Sequence, residues 1–279
     1  MAKVSRQKIG AIQQDVFDWY REHKRDLPWR RTRDPYAILV SEIMLQQTQV
    51  NRVIPKYQAF LQEFPTVHAL ATTTPAAVIR AWKGLGYNRR ALNLQRAATV
   101  VSESLNGQFP QTPDELQKLP GLGRYTAGAV ATFAFDQIAP AVDTNVRQFI
   151  DVLLPTKLHR TEADYERIAA RLIPRDNPGE WLHAVMDYTS LVLRPAGSRP
   201  KKKVVDNEPF IGSNRYLRGR TIDCLRDKPH STQELYARVA EPVSVPQKRY
   251  AEILAALEKD GLLTRQSNHY QLTGDSIHD

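Results

Sequence analysis

Two carboxylates stand in sequence surroundings that should give them opposite protonation states. Glu42 lies in the apolar segment 37–50, AILVSEIMLQQTQV, where partial desolvation should favour the protonated acid. Asp143 follows an apolar approach and begins a helical pattern, so N–H donors and the helix dipole should keep it ionised. Such a pair suits glycosidic cleavage, because the acid protonates the leaving group and the anion stabilises an oxocarbenium-like sugar. Taken alone, each residue has a structural explanation: Glu42 could be a solvent-facing carboxylate on an amphipathic helix, and Asp143 could be only a helix cap.

A glycine-rich turn at 119–123, LPGLG, separates two predicted helices. Pro120 ends the first helix, and Gly121 and Gly123 permit a close approach that side chains would forbid. The next helix, which starts near Arg124, presents unpaired N–H groups, and such groups bind anions. The turn is therefore expected to hold a DNA phosphate without reading a base. The alternative is an ordinary corner between two helices.

The composition favours a polyanionic partner and argues against a membrane-spanning protein and a disulfide-bonded one. The 279 residues carry a formal charge of +9, which suits nucleic acid, although many basic proteins never bind it. No apolar run is long enough to cross a membrane, and the N-terminus has no apolar signal region, so we expect a cytoplasmic, nucleoid-associated bacterial protein without a membrane partner. The single cysteine, Cys224, excludes an internal disulfide and a cysteine-ligated cluster.

The elements that must position these groups are mostly helices, so we predict a mainly α fold. Helical spacing occurs at 7–23, 37–49, 51–63, 75–83, 88–105, 113–118, 123–135, 144–154, 161–171 and 178–193. The basic, proline-containing stretch 194–209 is interpreted as a linker. Beyond it, three helical patterns and a hairpin predict a winged-helix-like module at 210–274, with a capping box from Ser231 to Glu234. The module could contact DNA or serve packing and protein contacts.

Five motifs together resemble the MutY-type adenine DNA glycosylases of the helix-hairpin-helix superfamily. They are SEIMLQQTQV (41–50), GLGYNRRALNL (84–94), LPGLGRYTAG (119–128), VDTNVR (142–147) and MDYTSLV (186–192), in order within roughly residues 20–193. The resemblance implies a two-lobed fold with the substrate base flipped into the cleft. One lobe would comprise 1–27 and 136–193, and the other 28–135 with the helix-hairpin-helix.

The resemblance also implies an activity and a partner. The protein would be a monomeric, monofunctional enzyme of base excision repair, hydrolysing the N-glycosidic bond of adenine mispaired with 8-oxoguanine or guanine in double-stranded DNA. Glu42 would protonate adenine and Asp143 would stabilise the sugar cation, with Tyr125 and Asn145 in support. Bifunctional relatives have a Schiff-base lysine at the position of Tyr125, so the tyrosine predicts excision without strand cleavage.

The remaining site residues follow from the same resemblance. The adenine pocket would be lined by Trp29, Arg30, Leu45, Val50 and His183. Contacts to DNA are expected from Gln47, Thr48, Leu85, Tyr87, Gly121, Gly123, Arg124, Lys201, Lys202 and Lys203. Gln47 and Tyr87 would enter the helix near the opposite base, where a wedge can fill the hole left by a flipped nucleotide. Main-chain carbonyls near Leu119 and Leu122 could hold a monovalent cation.

The sequence departs from the family pattern in three places. Most relatives carry four cysteines around an iron–sulfur cluster, the first of which would fall near Leu193, so no cofactor is expected here. The basic stretch containing Arg199 could replace the cluster loop in attracting DNA, or be a solvated linker. A short module stands where many relatives carry a hydrolase-like domain, and His183 lies near a Gln or Glu of relatives.

These departures leave the opposite base and strict adenine specificity open. The alternatives are a thymine or uracil mismatch glycosylase, a catalytically idle DNA-binding protein, and a bifunctional glycosylase/lyase. Tyr125 disfavours the last of them, and the retained carboxylates disfavour the idle protein.

Overall fold

The computed structural model describes residues 5–155, 159–194 and 209–275. This part of the chain is mainly helical with one small sheet, which confirms the predicted fold class. None of its helices is long and apolar enough to cross a membrane. The helices are α1 (Arg6–His23), α2 (Pro35–Leu45), α3 (Val50–Glu63), α4 (Val67–Thr72), α5 (Pro75–Ala81), α6 (Arg89–Thr99), α7 (Pro113–Leu116), α8 (Arg124–Phe135), α9 (Thr144–Leu153), α10 (Glu162–Leu172), α11 (Pro178–Tyr188), α12 (Asn214–Leu225), α13 (Thr232–Leu235) and α14 (Gln247–Lys259).

The chain forms two compact units. The first unit contains Met1–Ile43 and Phe109–Pro200, and the second contains Met44–Gln108 and Lys201–Asp279. The division into two lobes at residues 28 and 135, with a separate module at 210–274, stays a prediction.

The core of the first unit lies between α1, α9, α10 and α11. Its centre is aromatic, with the rings of Phe149 and Trp181 packed edge to face at 5.9 Å and Phe17 against Trp181 at 5.4 Å. Small residues make up much of the buried face of α8, so this helix can lie close to its neighbours. The close approach at α8 matters for the site described below.

The core of the second unit is shared between the helices before residue 108 and the C-terminal module. Ile79 of α5 and Leu92 of α6 belong to one buried cluster with Leu217 of α12 and Leu254 of α14. The sheet has the order β1-β3-β2 and is antiparallel throughout, with β1 at His230–Ser231, β2 at Leu263–Gln266 and β3 at His269–Leu272. The module thus has the predicted three helices and hairpin, but no hydrophobic core of its own separate from α5 and α6.

Polar contacts fix the module to the same helices. The Arg226 guanidinium donates to the Ile79 carbonyl, and Arg80 makes two hydrogen bonds of 2.8 and 2.7 Å to the Asp275 carboxylate. A Cβ on Gly274 would lie 2.8 Å from Pro75, so this contact tolerates no side chain. The module is therefore held as an integral part of the unit.

Local signals explain most helix ends, and the exceptions have visible causes. The predicted capping box is present, because Ser231 accepts from the Glu234 N–H and Glu234 accepts from the Ser231 N–H. Helix α2 ends at Leu45 rather than at 49, since Gln47 adopts a left-handed φ of 55°. Helix α4 was not predicted, because its six residues are too few for a periodic pattern.

Candidate active site

Glu42 is buried within α2, as its apolar neighbours predict. The residue is 6% exposed and lies between buried Ser41 and Ile43. Burial raises the pKa of its carboxyl to about 7, and a hydrogen bond from Tyr125 opposes that rise. A carboxyl with this pKa is a proton donor at neutral pH, which is the property required of a general acid.

Asp143 caps the N-terminus of α9, again as predicted. Its Oδ1 accepts the Val146 N–H at 2.8 Å, and its Oδ2 accepts the Asn145 side-chain amide at 2.6 Å. Burial raises the pKa of Asp143, while the Val146 and Asn145 donors lower it. The sequence predicts those donors but not the burial, which shifts the pKa in the opposite direction from the cap.

Tyr125 connects the two carboxylates electrostatically. Its hydroxyl donates to Glu42, and burial, together with the charges of Glu42 and Asp143, raises the pKa of the phenol well above its ordinary value. The phenol therefore stays protonated and remains a donor at every pH where the enzyme would work. Glu42, Tyr125, Asp143 and Asn145 all lie in the first unit, and the structure brings them together.

Helix α8, which begins with Arg124 and Tyr125, packs closely against the backbone of the segment that precedes Asp143. Gly128 lies one helical turn after Tyr125, and a Cβ there would be 3.4 Å from the Pro140 carbonyl oxygen and 3.6 Å from Ala141. Thr132, one turn further, donates to the Ala139 carbonyl at 3.2 Å. Small side chains on α8 therefore let the segment before Asp143 run along the helix.

A cavity in the first unit is lined by three of the predicted pocket residues. Its volume is about 480 Å³, and its lining includes Trp29, Arg30, His183 and Phe133. The His183 ring stacks on Phe133 with centroids 4.2 Å apart. Burial and the Arg30 charge lower the pKa of His183 to about 3, so the imidazole is neutral and offers one donor and one acceptor.

Two residues of this lining, Arg25 and Arg30, belong to a buried ion cluster that the sequence did not reveal. Asp187 is 0% exposed and receives two hydrogen bonds from Arg30, at 2.7 and 2.9 Å, and one from the Arg25 Nε at 2.6 Å. Burial alone would raise the pKa of Asp187, but the two arginines lower it. Arg25 and Asp187 are 162 positions apart, and no local pattern links residues across such a distance.

The other predicted pocket residues belong to the second unit. Leu45 is the last residue of α2, Val50 is the first residue of α3, and both are half-buried. Their place in an adenine pocket stays a prediction.

The two predicted wedge residues share an unusual backbone. Gln47 has a φ of 55° and Tyr87 a φ of 48°, and Tyr87 is 40% exposed. Left-handed φ values in residues other than glycine are strained and concentrate at functional sites. Leu85 is 4% exposed, and its contact with DNA stays a prediction.

Arg90 joins the loops that carry these residues, and sequence reasoning missed it. Its guanidinium donates to the carbonyls of Met44 and Gln46 and the hydroxyl of Thr48 at one loop. It also donates to the carbonyls of Leu85 and Gly86 at the other, at 3.0 and 3.1 Å. Burial lowers the pKa of Arg90 to about 10. Thr48, a predicted DNA contact, is therefore a partner of Arg90.

The predicted phosphate turn follows α7, which ends at Leu116 rather than at Pro120, and its binding of a phosphate stays a prediction. Gly121 has a φ of 80°, Gly123 is the N-cap of α8, and a Cβ on Gly123 would meet nothing within 4 Å. The Leu122 N–H donates to the Leu119 carbonyl at 3.2 Å, and a cation on nearby carbonyls stays a prediction. Arg124 is exposed and pairs with Glu166 at 2.6 Å, so binding a phosphate would replace that carboxylate. Lys201, Lys202, Lys203 and Arg199 lie outside the described residues.

The chain does not fit an iron–sulfur cluster of the kind found in most relatives. A cluster of that type needs four cysteine thiolates, and the only cysteine in the sequence is Cys224, which is half-buried on α12. Near the expected first ligand, Leu193 packs partly buried against the core of the first unit, and its carbonyl accepts from Gln148 at 3.3 Å.

Comparisons with known proteins show the family of the chain. The sequence pattern of the HhH-GPD superfamily of base excision DNA repair proteins matches residues 40–175. Adenine DNA glycosylase of Mycobacterium tuberculosis is 35% identical over an alignment of 295 positions, gaps included, that covers 94% of this chain and 94% of that protein. The Mycolicibacterium smegmatis protein of the same name is 35% identical over 76% of this chain and 80% of its own length. The match to the Rattus norvegicus adenine DNA glycosylase, 38% identical, spans 67% of this chain and 39% of that protein.

Solved structures show the same fold. A thermostable thymine-DNA glycosylase is 27% identical, with a TM-score of 0.63 over 68% of this chain and 90% of its own. An endonuclease III trapped covalently on DNA gives a TM-score of 0.61 over 71% and 92%, and at 22% identity it supports the fold alone.

Proposed function

The chain belongs to the adenine DNA glycosylases of the helix-hairpin-helix superfamily, and we propose that it hydrolyses the N-glycosidic bond of adenine mispaired with 8-oxoguanine or guanine in double-stranded DNA. The observation that carries the proposal is the buried Glu42 carboxyl, with a pKa of about 7, hydrogen-bonded to Tyr125 and close enough to Asp143 for their charges to interact. Adenine itself, as the excised base, is supported by the names of the relatives.

Each carboxyl has a distinct part in the reaction. Glu42 gives its proton to adenine as the bond between the base and the sugar breaks, so the base leaves neutral. Asp143, supplied with hydrogen bonds by Val146 and Asn145, stabilises the positive charge that develops on the sugar. Water then adds to the sugar carbon, and the proton it releases returns Glu42 to its acid form. The products are free adenine and an abasic site.

The reaction should stop at the abasic site. Strand cleavage by β-elimination requires an amine that forms a Schiff base with the sugar, and Tyr125 offers a phenol instead. The chain supplies neither that lysine nor the cysteines of a cluster, so the proposed enzyme is monofunctional and works without an iron–sulfur cofactor.

His183 and Trp29 would contribute to recognition of the adenine edge from the cavity of the first unit, whose lining does not include Glu42, Tyr125 or Asp143. Neutral His183 can both donate and accept a hydrogen bond there, and the Trp29 ring is a flat apolar wall. A carboxamide or carboxylate, which relatives place near this position, has a different donor and acceptor pattern. The structural likeness to a thymine-DNA glycosylase therefore makes thymine or uracil excision the second candidate.

One assay separates these functions. Duplexes containing A:8-oxoguanine, A:G, T:G or U:G are incubated with the protein, and alkali then reveals abasic sites. We expect cleavage after alkali at adenine only, and intact strands without alkali. Excision confined to T:G or U:G would assign the activity to the second candidate, and strand breaks before alkali would contradict a monofunctional enzyme.

The role of the acid is tested by Glu42→Gln, with Glu22→Gln on the exposed side of α1 as its matched control. Loss of general acid catalysis should lower the excision rate by a factor of about 100 to 10,000, with the Kd for DNA unchanged. An active Glu42→Gln protein would show that a different group protonates the base.

A further inference from the structure

The second unit contains a groove that none of the proposed chemistry uses. It has a volume of about 720 Å³ and runs between residues 86–93, which include Tyr87, and helix α12 of the C-terminal module. Phe210, Leu257, Asp260 and Leu262 also line it. Because Leu92 shares one hydrophobic core with Leu217 and Ile222 of α12, both walls of the groove are parts of the same unit.

The charge of this groove suits a polyanion. Its lining includes five arginines and two aspartates: Arg89, Arg90, Arg215, Arg218, Arg220, Asp223 and Asp260. Asp260 pairs with Arg218 at 2.5 Å and with Arg89 at 3.4 Å. Arg215 and Arg220 make no ion pair within the described part of the chain and stand exposed on α12, so they leave the wall of the module positive.

The groove also offers flat aromatic surface beside those charges. The Arg215 guanidinium lies 4.4 Å from the centroid of the Tyr87 ring and 5.9 Å from that of Phe210. Phe210 is 62% exposed and meets the Tyr216 ring edge to face at 5.8 Å. Cationic grooves in which rings and guanidinium planes alternate bind nucleic-acid strands, because bases stack on the planes and phosphates meet the charges.

The helix that would ordinarily read DNA in such a module is less basic than α12. Helix-turn-helix modules insert their recognition helix into the major groove, and α14 holds that place here. The exposed charges of α14 are two carboxylates, Glu252 and Glu258, and two lysines, Lys248 and Lys259, so they cancel. Helix α12 exposes Arg215 and Arg220, so it is the more basic wall of the module.

We propose that the groove between residues 86–93 and α12 binds one strand of the DNA substrate next to the point where Tyr87 enters the helix. Arg215 and Arg220 hold phosphates, and Tyr87, Phe210 and the Arg215 plane present stacking surface to unpaired or displaced bases. The proposal rests on the proposed DNA substrate, and it gives the C-terminal module a direct part in holding the strand.

Gly219 provides a test that leaves the folded unit intact. It lies in the groove on α12, and a Cβ there would meet nothing within 4 Å, so side chains fit without strain. Gly219→Glu adds a negative charge to the groove, and Gly219→Lys adds a positive one at the same backbone position. Arg238→Gln, exposed on the same module but outside the groove, changes the net charge by the same amount as Gly219→Glu.

The measurement is the Kd of each full-length variant for an A:8-oxoguanine duplex whose adenosine carries a 2′-fluorine that blocks cleavage. We expect Gly219→Glu to bind about threefold to tenfold more weakly than Gly219→Lys, and Arg238→Gln to resemble the wild type. Arg215→Gln should lower the slope of log Kd against log salt concentration by about 0.9, the value for one lost phosphate contact. Thermal unfolding of each variant verifies the fold.

Two results would overturn the proposal. Equal DNA affinities of Gly219→Glu and Gly219→Lys would show that the groove does not contact DNA. A loss of affinity in Arg238→Gln as large as that in Gly219→Glu would show that net charge alone, and not the groove, determines the affinity. Excision of unmodified duplexes is measured in parallel. Failure of the wild type to excise adenine would contradict the proposed function. The difference in Kd between the two Gly219 variants would still show whether the groove binds DNA.

Discussion

Replacing Tyr125 with Phe should move the pH dependence of excision in a direction that the geometry fixes. The Tyr125 hydroxyl donates to the Glu42 carboxylate and so stabilises the charged form of the acid. Removing the hydroxyl leaves the burial of Glu42 in place but deletes the interaction that lowers its pKa. The pKa of Glu42 should therefore rise above about 7.

The size of the effect follows from the worth of one hydrogen bond to a charged group. Such a bond contributes about 1.5 to 3 kcal/mol, and one pKa unit corresponds to about 1.4 kcal/mol. The basic limb of the pH–rate profile should then move upward by about one to two pH units. At pH 9 the wild type would hold about 1% of Glu42 as the acid, and the variant about 10 to 50%.

The assay is the single-turnover excision rate at saturating enzyme between pH 5 and 10. The position of the limb is read independently of the plateau, so a slower Tyr125→Phe variant still reports the pKa. Tyr165→Phe is the matched control, because that phenol donates to Asp151 and not to Glu42. If the basic limb of Tyr125→Phe lay at the same pH as that of the wild type, or at a lower pH, Glu42 could not be the titrating acid whose pKa the Tyr125 hydroxyl lowers.

Two further predictions concern stability. The folded-state pKa of Glu42, about 7, exceeds its ordinary value of 4.5, so the free energy of unfolding falls as pH rises from 4.5 to 7. In urea unfolding at pH 8, Glu42→Gln should therefore be more stable than the wild type by up to about 3 kcal/mol. Equal stabilities of the two proteins would contradict the raised pKa. Asp187→Asn leaves the Arg25 and Arg30 charges without their buried partner and should cost about 3 to 5 kcal/mol in urea unfolding. Asp26→Asn, which breaks an exposed pair, is its control, and a comparable loss there would argue against the buried cluster.

Local sequence patterns predicted the features that depend on near neighbours. The burial of Glu42 follows from the apolar residues around it, the cap at Asp143 from a helical pattern that begins beside it, and the bend at Gly121 from glycines in a turn. Each of these features is decided within a few positions of the chain, and the structure has them all.

The remainder depends on contacts that a single sequence does not encode locally. Arg90 reaches Met44 across 46 positions, and Arg25 reaches Asp187 across 162. The shared core of Ile79 and Leu217 likewise joins segments on either side of the presumed linker, which is why the module looked independent in the sequence. The raised pKa of Asp143 depends on the packing around the cap rather than on the cap itself.

The guanidinium of Arg90 bears on how DNA binding would be made selective. Left-handed backbone at Gln47 and Tyr87 costs on the order of 1 to 3 kcal/mol at each residue. Arg90 is hydrogen-bonded to the loops that contain Gln47 and Tyr87 in the folded protein. The free-energy cost of the left-handed backbone is therefore included in the free energy of folding and does not reduce the free energy of DNA binding. In the proposed complex with DNA the two side chains would thus be preorganised, and the free energy of their contact would serve to discriminate a mispair from a normal pair.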